Sequence, residues 1–179
     1  MHLRYLAVIA AIVIGAAAPG ARAQDAAPSL PGGASSLQET FQDWRVTCGI
    51  VNQAKVCALS QQQVRQQDNQ RLLAVELRPA PGDTVTGTLI LPFGLKLAAG
   101  VTMQVDDNAP VPPAYFSTCL PAGCLVPLTL DAAQVGQLRA GAAVKLVAQA
   151  ADTGQEVTFS ISLKGFSGAL DRVVALVAS

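Results

Sequence analysis

The sequence predicts an all-β domain, an antiparallel β-sandwich with one or two short helices, and three observations carry that expectation. From Phe41 onward apolar side chains recur at every second position, the period of a strand with one face on a core and one in water. Clusters of Pro, Gly, Asp and Asn interrupt the runs at intervals of roughly 8–12 residues, which suits about nine short strands. Four cysteines fall in two close pairs, Cys48 with Cys57 and Cys119 with Cys124, spacings that suit bridges inside hairpins.

The elements follow in order. Trp44, Val46 and Cys48 point one way, while Asp43, Arg45 and Thr47 point the other. Strands are expected at 55–62 and 70–78, then along Val85, Leu89 and Leu91, which alternate with Thr84, Thr86 and Thr88. Gly87 inside that run marks a bulge. Val101, Met103 and Val105 alternate with Thr102, Gln104 and Asp106, and further strands are expected at 115–119, 124–130 and 143–151. The clearest alternation is at 156–164, where Val157, Phe159, Ile161 and Leu163 share one face. Between them stand the turn sequences Pro79-Ala80-Pro81-Gly82-Asp83, Asp106-Asp107-Asn108, Pro112-Pro113 and Asp152-Thr153-Gly154. Two helices break the pattern. Asp131 caps one over 132–140, with Gln134 completing a capping box and Gly141 at its exit. Ser167 caps the second, whose Leu170, Val173, Val174 and Val177 form one face. That face is expected to close an open end of the sandwich, the alternative being that it docks on a partner.

The N-terminus reads as a signal peptide over residues 1–23: Arg4, an apolar stretch over 6–18, then Pro19-Gly20 and the small-x-small triplet Ala21-Arg22-Ala23. Cleavage is expected between Ala23 and Gln24, leaving 156 of the 179 residues. The apolar stretch is shorter than the ~20 residues that span a bilayer, and no cysteine stands near the cleavage point to take a lipid, so no stable membrane insertion is expected. Residues 24–38 are small, polar and rich in Pro and Gly, the composition of a flexible tether. A single domain then occupies 39–179.

An exported chain meets an oxidising environment in which thiols pair. Four cysteines allow three connectivities, and Cys48–Cys57 with Cys119–Cys124 is the most economical. Each such loop is worth about 2–3 kcal/mol in chain entropy. A zinc site or a redox dithiol is the alternative, but neither spacing is Cys-x-x-Cys. Both bridges would hold local hairpins rather than join two sheets.

Composition excludes several functions. Loss of Arg4 and Arg22 with the leader takes the basic count from 12 to 10, against 12 acidic residues. With no basic run, neither nucleic acid nor an anionic lipid surface is an expected partner. The one histidine, His2, leaves with the leader. The remaining chain therefore has no imidazole for a Ser-His-Asp or Cys-His pair or for ordinary zinc ligation. No Gly-rich phosphate loop, nucleophile elbow or metal-ligand cluster is present, and no catalytic residue, cofactor or metal is assigned. Asp106 and Asp107 read as turn residues rather than an acid–base pair or calcium ligands, because neighbours on a strand face opposite ways. Trp44 is expected as a core anchor, and Leu91-Pro92-Phe93-Gly94-Leu95 as a buried crossover rather than an exposed binding edge.

One segment invites a contact reading. Gln61, Gln62, Gln63, Gln66, Gln67 and Gln70 surround Arg65 and Arg71. Amide side chains donate and accept hydrogen bonds and suit a glycan or peptide surface. Gln61, Gln62, Gln63 and Arg65 are the candidate contact residues, against the plainer reading of a solvated strand end and hairpin loop.

The motifs together resemble a family. Asp43-Trp44-Arg45-Val46-Thr47-Cys48, Cys57-Ala58-Leu59-Ser60-Gln61-Gln62, Leu91-Pro92-Phe93-Gly94, Cys119-Leu120-Pro121-Ala122-Gly123-Cys124 and Leu163-Lys164-Gly165-Phe166 occur in the order found in the invasion-associated locus B proteins of Gram-negative bacteria. The resemblance implies an immunoglobulin-like β-sandwich in the periplasm or at the outer surface, or released from the cell. It also implies a link to host-cell entry, although similar proteins occur in free-living bacteria, and it carries no catalytic residues. The expected activity is thus a non-enzymatic exported binding or envelope protein with a protein or glycan partner in the envelope or on a host cell. The alternatives are an envelope chaperone or inhibitor acting by β-strand addition and a carboxylate-based glycosidase, which would need two carboxylates facing across a cleft.

Overall fold

Alternation turns into sheet from Ser36 onward in the computed structural model, which describes residues 28–178. The leader and its Ala23–Gln24 cleavage point lie outside the described residues. Ten strands form: β1 (Ser36–Phe41), β2 (Trp44–Val51), β3 (Ala54–Val64), β4 (Arg71–Ala80), β5 (Thr84–Leu91), β6 (Thr102–Val105), β7 (Thr118–Leu120), β8 (Gly123–Leu130), β9 (Ala143–Gln149) and β10 (Glu156–Ser162). Helix α1 (Ala132–Ala140) separates β8 from β9, and α2 (Phe166–Ala178) follows β10.

All pairings are antiparallel. One sheet has the order β1-β2-β3-β4-β5-β8-β7 and the other β10-β9-β6, so the chain is a β-sandwich with two helices. The β1–β5 part is a run of consecutive hairpins, which the short turns between strands dictate. Val75, Leu77 and Leu128 of the larger sheet face Met103, Val144 and Ile161 of the smaller one around an apolar gap of about 50 Å³. Helix α2 lies across β1–β4 and buries Phe166, Ala169, Leu170, Val173 and Leu176. Trp44, 1 % exposed, meets Phe166 edge-on with ring centroids 5.2 Å apart. Its indole N–H donates to the Ser162 carbonyl at 2.9 Å. The expected core anchor is therefore the point where both sheets and α2 converge.

Helix α1 matches its expected bounds and its capping box. The Asp131 carboxylate accepts from the Gln134 backbone N–H at 2.8 Å, and the Gln134 side chain accepts from the Asp131 N–H at 3.0 Å. Several other expectations are corrected. The tether proposed for 24–38 is ordered over its described part: Leu30 is a buried core residue, Pro31–Gly33 form one 3-10 turn, and β1 begins at Ser36. The Pro-Gly composition there makes a tight turn between two anchored segments, and Leu37 packs on the core. Gly87 marks no bulge, since the β4–β5 register runs unbroken through it. A Cβ there would stand 2.1 Å from the Glu76 carbonyl oxygen, so glycine permits a close backbone approach. The irregularity lies instead between Gln63 and Val64. The strand expected at 115–119 shrinks to β7, because 109–117 meets no ladder beyond the isolated Val101–Ala114 bridge. Ser167 lies inside α2, and its hydroxyl donates to the Arg139 carbonyl at 3.2 Å. Val174 and Val177 face outward; the 3.6-residue period puts Leu176 on the buried face in their place. In the 91–95 crossover Leu91 and Leu95 are buried, but Phe93 turns out and is 60 % exposed.

Candidate functional site

The outward phase of β1–β5 supplies a broad polar depression on the larger sheet. Residues opposite each other across the strands run Thr40–Arg45, Arg45–Ser60, Ser60–Glu76 and Glu76–Thr88. A second row runs Gln62–Ala74–Ile90. Their side chains share a face because alternate strand positions do. These rows as far as Glu76 and Ile90, with Asp43 at the β1–β2 turn and Arg71 at the start of β4, line a depression of about 520 Å³. Its small central residues, Ser60 and Ala74, leave room between the longer side chains.

Charges in the depression are unevenly satisfied. The Asp43 carboxylate accepts from the Ser162 hydroxyl at 2.6 Å. Glu76 is paired with Arg78 at 2.7 Å. Arg71 donates from Nη1 to the Ala122 carbonyl at 3.4 Å, and its Nε is buried with no acceptor. Arg45 forms no ion pair among the described residues.

The glutamine segment is divided by the strand period. Gln61 points inward and is 6 % exposed. Its amide donates to the Ser162 carbonyl at 2.9 Å and accepts from the Ser162 N–H at 3.1 Å, as a neighbouring strand would. Gln63 donates to the Ser160 carbonyl at 2.6 Å. Together they close the edge of β10 and stitch the two sheets. Gln62 faces the depression, and Arg65 sits in the β3–β4 loop, paired with Asp68 at 3.2 Å. Of the four candidate contact residues the structure thus leaves Gln62 in the depression and Arg65 on the loop. Gln61 is withdrawn from the surface because β10 lacks a strand on that side. Arg45 and Arg71 were missed as a pair: Arg45 stands on the outward phase of β2, but Arg71 has the phase of the buried Leu73, Val75 and Leu77, and the register shift opposite Gln63 and Val64 turns it to the depression.

Both disulfides join directly opposed residues. Cys48 pairs across from Cys57 with Cα atoms 4.1 Å apart, and Cys119 across from Cys124 at 3.9 Å. The first spans a two-residue turn at Asn52 and Gln53, both with positive φ, and the second spans Pro121-Ala122. No free cysteine is left among the described residues. The carboxylates weighed as catalytic groups stand apart. Glu76 is on β4, Glu156 opens β10, and Asp106 accepts from the Ala142 and Ala143 N–H groups at 2.9 Å each, holding the exit of α1. Among the described residues no three His, Cys, Asp or Glu side chains gather as a metal site, and no helix is long and apolar enough to cross a membrane.

One ion pair ties the ends of the domain together. Arg172 of α2 donates to both oxygens of Glu39 on β1 at 2.7 and 2.8 Å. Those hydrogen bonds, opposed by partial desolvation and aided by the guanidinium charge, hold the Glu39 carboxyl below its ordinary value of 4.5. Arg172 is raised in turn, chiefly by the same hydrogen bonds.

Comparison with known proteins gives a consistent result. The family model described as invasion associated locus B (IalB) protein matches residues 44–174. An invasion protein B homolog of Brucella abortus is 49 % identical over 150 residues, covering 84 % of this chain and 86 % of the relative. Invasion protein B of Bartonella bacilliformis is 40 % identical over 150 residues, covering 83 % and 80 %. The crystal structure of invasion associated protein b from Bartonella henselae superposes with a TM-score of 0.73 at 36 % identity, covering 78 % of this chain and 96 % of that one. With the family model matching most of its length and this identity to its relatives, the chain belongs to the invasion associated locus B family.

Proposed function

We propose that the protein is exported and acts without catalysis, as an envelope or secreted module that holds a protein or glycan partner and contributes to host-cell interaction. The observation that carries this reading is the polar depression on the larger sheet, built on a rigid run of hairpins and supplied with under-satisfied arginines. Export is supported by the leader pattern at 1–23 and by two disulfides, which persist in oxidising compartments. Relatives named as invasion proteins support the host-directed part. The scattered carboxylates and the lack of histidine after residue 2 favour binding over hydrolysis.

A second reading, a chaperone or inhibitor working by strand addition, draws on β1, a six-residue edge paired only with β2. The other edges offer less: β7 has three residues, and Gln61 and Gln63 close one end of β10. Crosslinking in intact cells followed by pull-down, with the periplasm, outer membrane and medium kept separate, tests both. Capture of a specific partner that is lost in a R45A/R71A variant supports the first reading, and capture indifferent to that variant supports the second. Recovery of the protein from the cytoplasm alone, or of no specific partner, overturns both.

A further inference from the structure

We infer that the depression on the larger sheet binds an extended acidic polypeptide segment whose carboxylates stand four residues apart. This deepens the proposed binding function and rests on it for the use of that face. Arg45 stands opposite Ser60 and Arg71 opposite Val64, so the two arginines flank β3 at points four residues apart along it. At ~3.4 Å per residue that interval is about 14 Å. The arginines also stand on opposite sides of β3, about 10 Å apart across it, so an extended chain laid over β3 presents side chains i and i+4 on one face at the two arginine levels, and the long arginine side chains reach inward to them.

The chemistry agrees with the spacing. Guanidinium groups recognise carboxylates through paired N–H donors. The two carboxylates in the depression are already engaged, Asp43 by the Ser162 hydroxyl and Glu76 by Arg78. Arg78 offsets Glu76, and Arg45 with Arg71 outnumbers the one remaining carboxylate, Asp43, so the face offers a ligand a net positive charge. Gln62 lies on the same face of β3 between the two arginine levels, and its amide can both donate to and accept from a peptide backbone. A glycan is less well served. Sugar rings stack on exposed aromatic faces, and Trp44, the one aromatic residue among the lining, points into the core and is 1 % exposed.

The test is fluorescence anisotropy with short labelled peptides, titrated with the oxidised mature protein. One peptide carries glutamates at i and i+4, a second at i and i+3, and a third carries glutamines at i and i+4. The first should bind most tightly and weaken as salt rises. Arg45→Ala and Arg71→Ala should each lower affinity about 5- to 10-fold. Lys96→Ala, exposed and outside the depression, should leave it unchanged. Thermal melts of the variants check that the fold is intact. Equal binding of the glutamine peptide, or indifference to the Arg45 and Arg71 changes, overturns the inference. So does polygalacturonate binding through those arginines when the peptides do not bind. If cell crosslinking yields a specific partner while the acidic peptide fails, this inference falls alone; if it yields none, the binding function falls with it.

Discussion

Replacing Gln61 should reveal how much the β10 edge depends on one side chain. Gln61→Ala removes two hydrogen bonds to Ser162, at 2.9 and 3.1 Å, from a site only 6 % exposed. The Ser162 carbonyl keeps the Trp44 indole as donor. The Ser162 N–H, pointing away from β9, keeps no acceptor among the described residues. Two net hydrogen bonds at about 1 kcal/mol each, with a further cost for a buried unpaired donor, come to about 2–4 kcal/mol. That is a large part of the ~5–15 kcal/mol stability of an ordinary domain. Gln61→Glu sharpens the argument. Its carboxylate still accepts from the Ser162 N–H but turns a second acceptor toward the Ser162 carbonyl, in a buried site. Burial and that carbonyl raise the folded pKa above its unfolded value of ~4.3. The variant should therefore be weakest at neutral pH and recover toward wild type as pH falls through the folded pKa. Urea unfolding at pH 7.5 and pH 5, followed by the fluorescence of the single tryptophan with disulfides intact, gives both numbers at constant slope. An Ala variant within ~0.5 kcal/mol of wild type, or a Glu variant that loses further ground on acidification, would refute the bridging role.

Three other changes test neighbouring parts of the fold. Removing the disulfides as Ala pairs should cost about 2–3 kcal/mol each in urea from loop closure, with sequence separations of 9 and 5. The Cys48–Cys57 pair should cost more, since both of its residues are in the core whereas Cys119 is exposed. Gly87→Ala should lose about 1–3 kcal/mol against the Glu76 carbonyl, while Gly136→Ala, in α1 with open space around it, should gain ~0.5–1 kcal/mol; paired thermal melts distinguish the signs. Glu39→Gln should be less stable than wild type at pH 7. Because the folded Glu39 pKa is lowered from 4.5, its stabilisation is present above the unfolded value and lost as pH falls through the lower folded one. The two melting curves should converge in strong acid, and a gap that widens there would refute the ion pair as its source.

The parts of the fold legible in the sequence are those governed by local rules. The β2 alternation at Trp44, Val46 and Cys48, the α1 capping box and the two hairpin cysteine pairs all follow from neighbours within ten residues. What escaped depends on partners distant in the chain. Leu30 reads as part of a polar tether until the rest of the core is present to bury it. Gln61 looks no different from Gln62 until β10, a hundred residues later, is seen to end without a strand beside it. Gly87 carries two meanings in a strand, bulge or close approach, and the position of β4 decides between them. The depression was half legible: strand phase places Arg45 and Gln62 outward, but Arg71 has the phase of buried Leu73 and Val75, and the register shift opposite Gln63 and Val64 was needed to bring it to the same face.

The placement of α2 also sets the order in which the molecule can be completed. Hairpins β1 to β5 join neighbours in sequence, so a chain emerging N-terminus first can pair them as they appear. The surface they must bury is supplied by Phe166, Leu170, Val173 and Leu176, which follow all ten strands in the chain. An unfinished chain therefore holds Trp44 and its neighbours without their cover and cannot lock into its final state. Such a delay makes α2 the latch that closes over a sheet already paired.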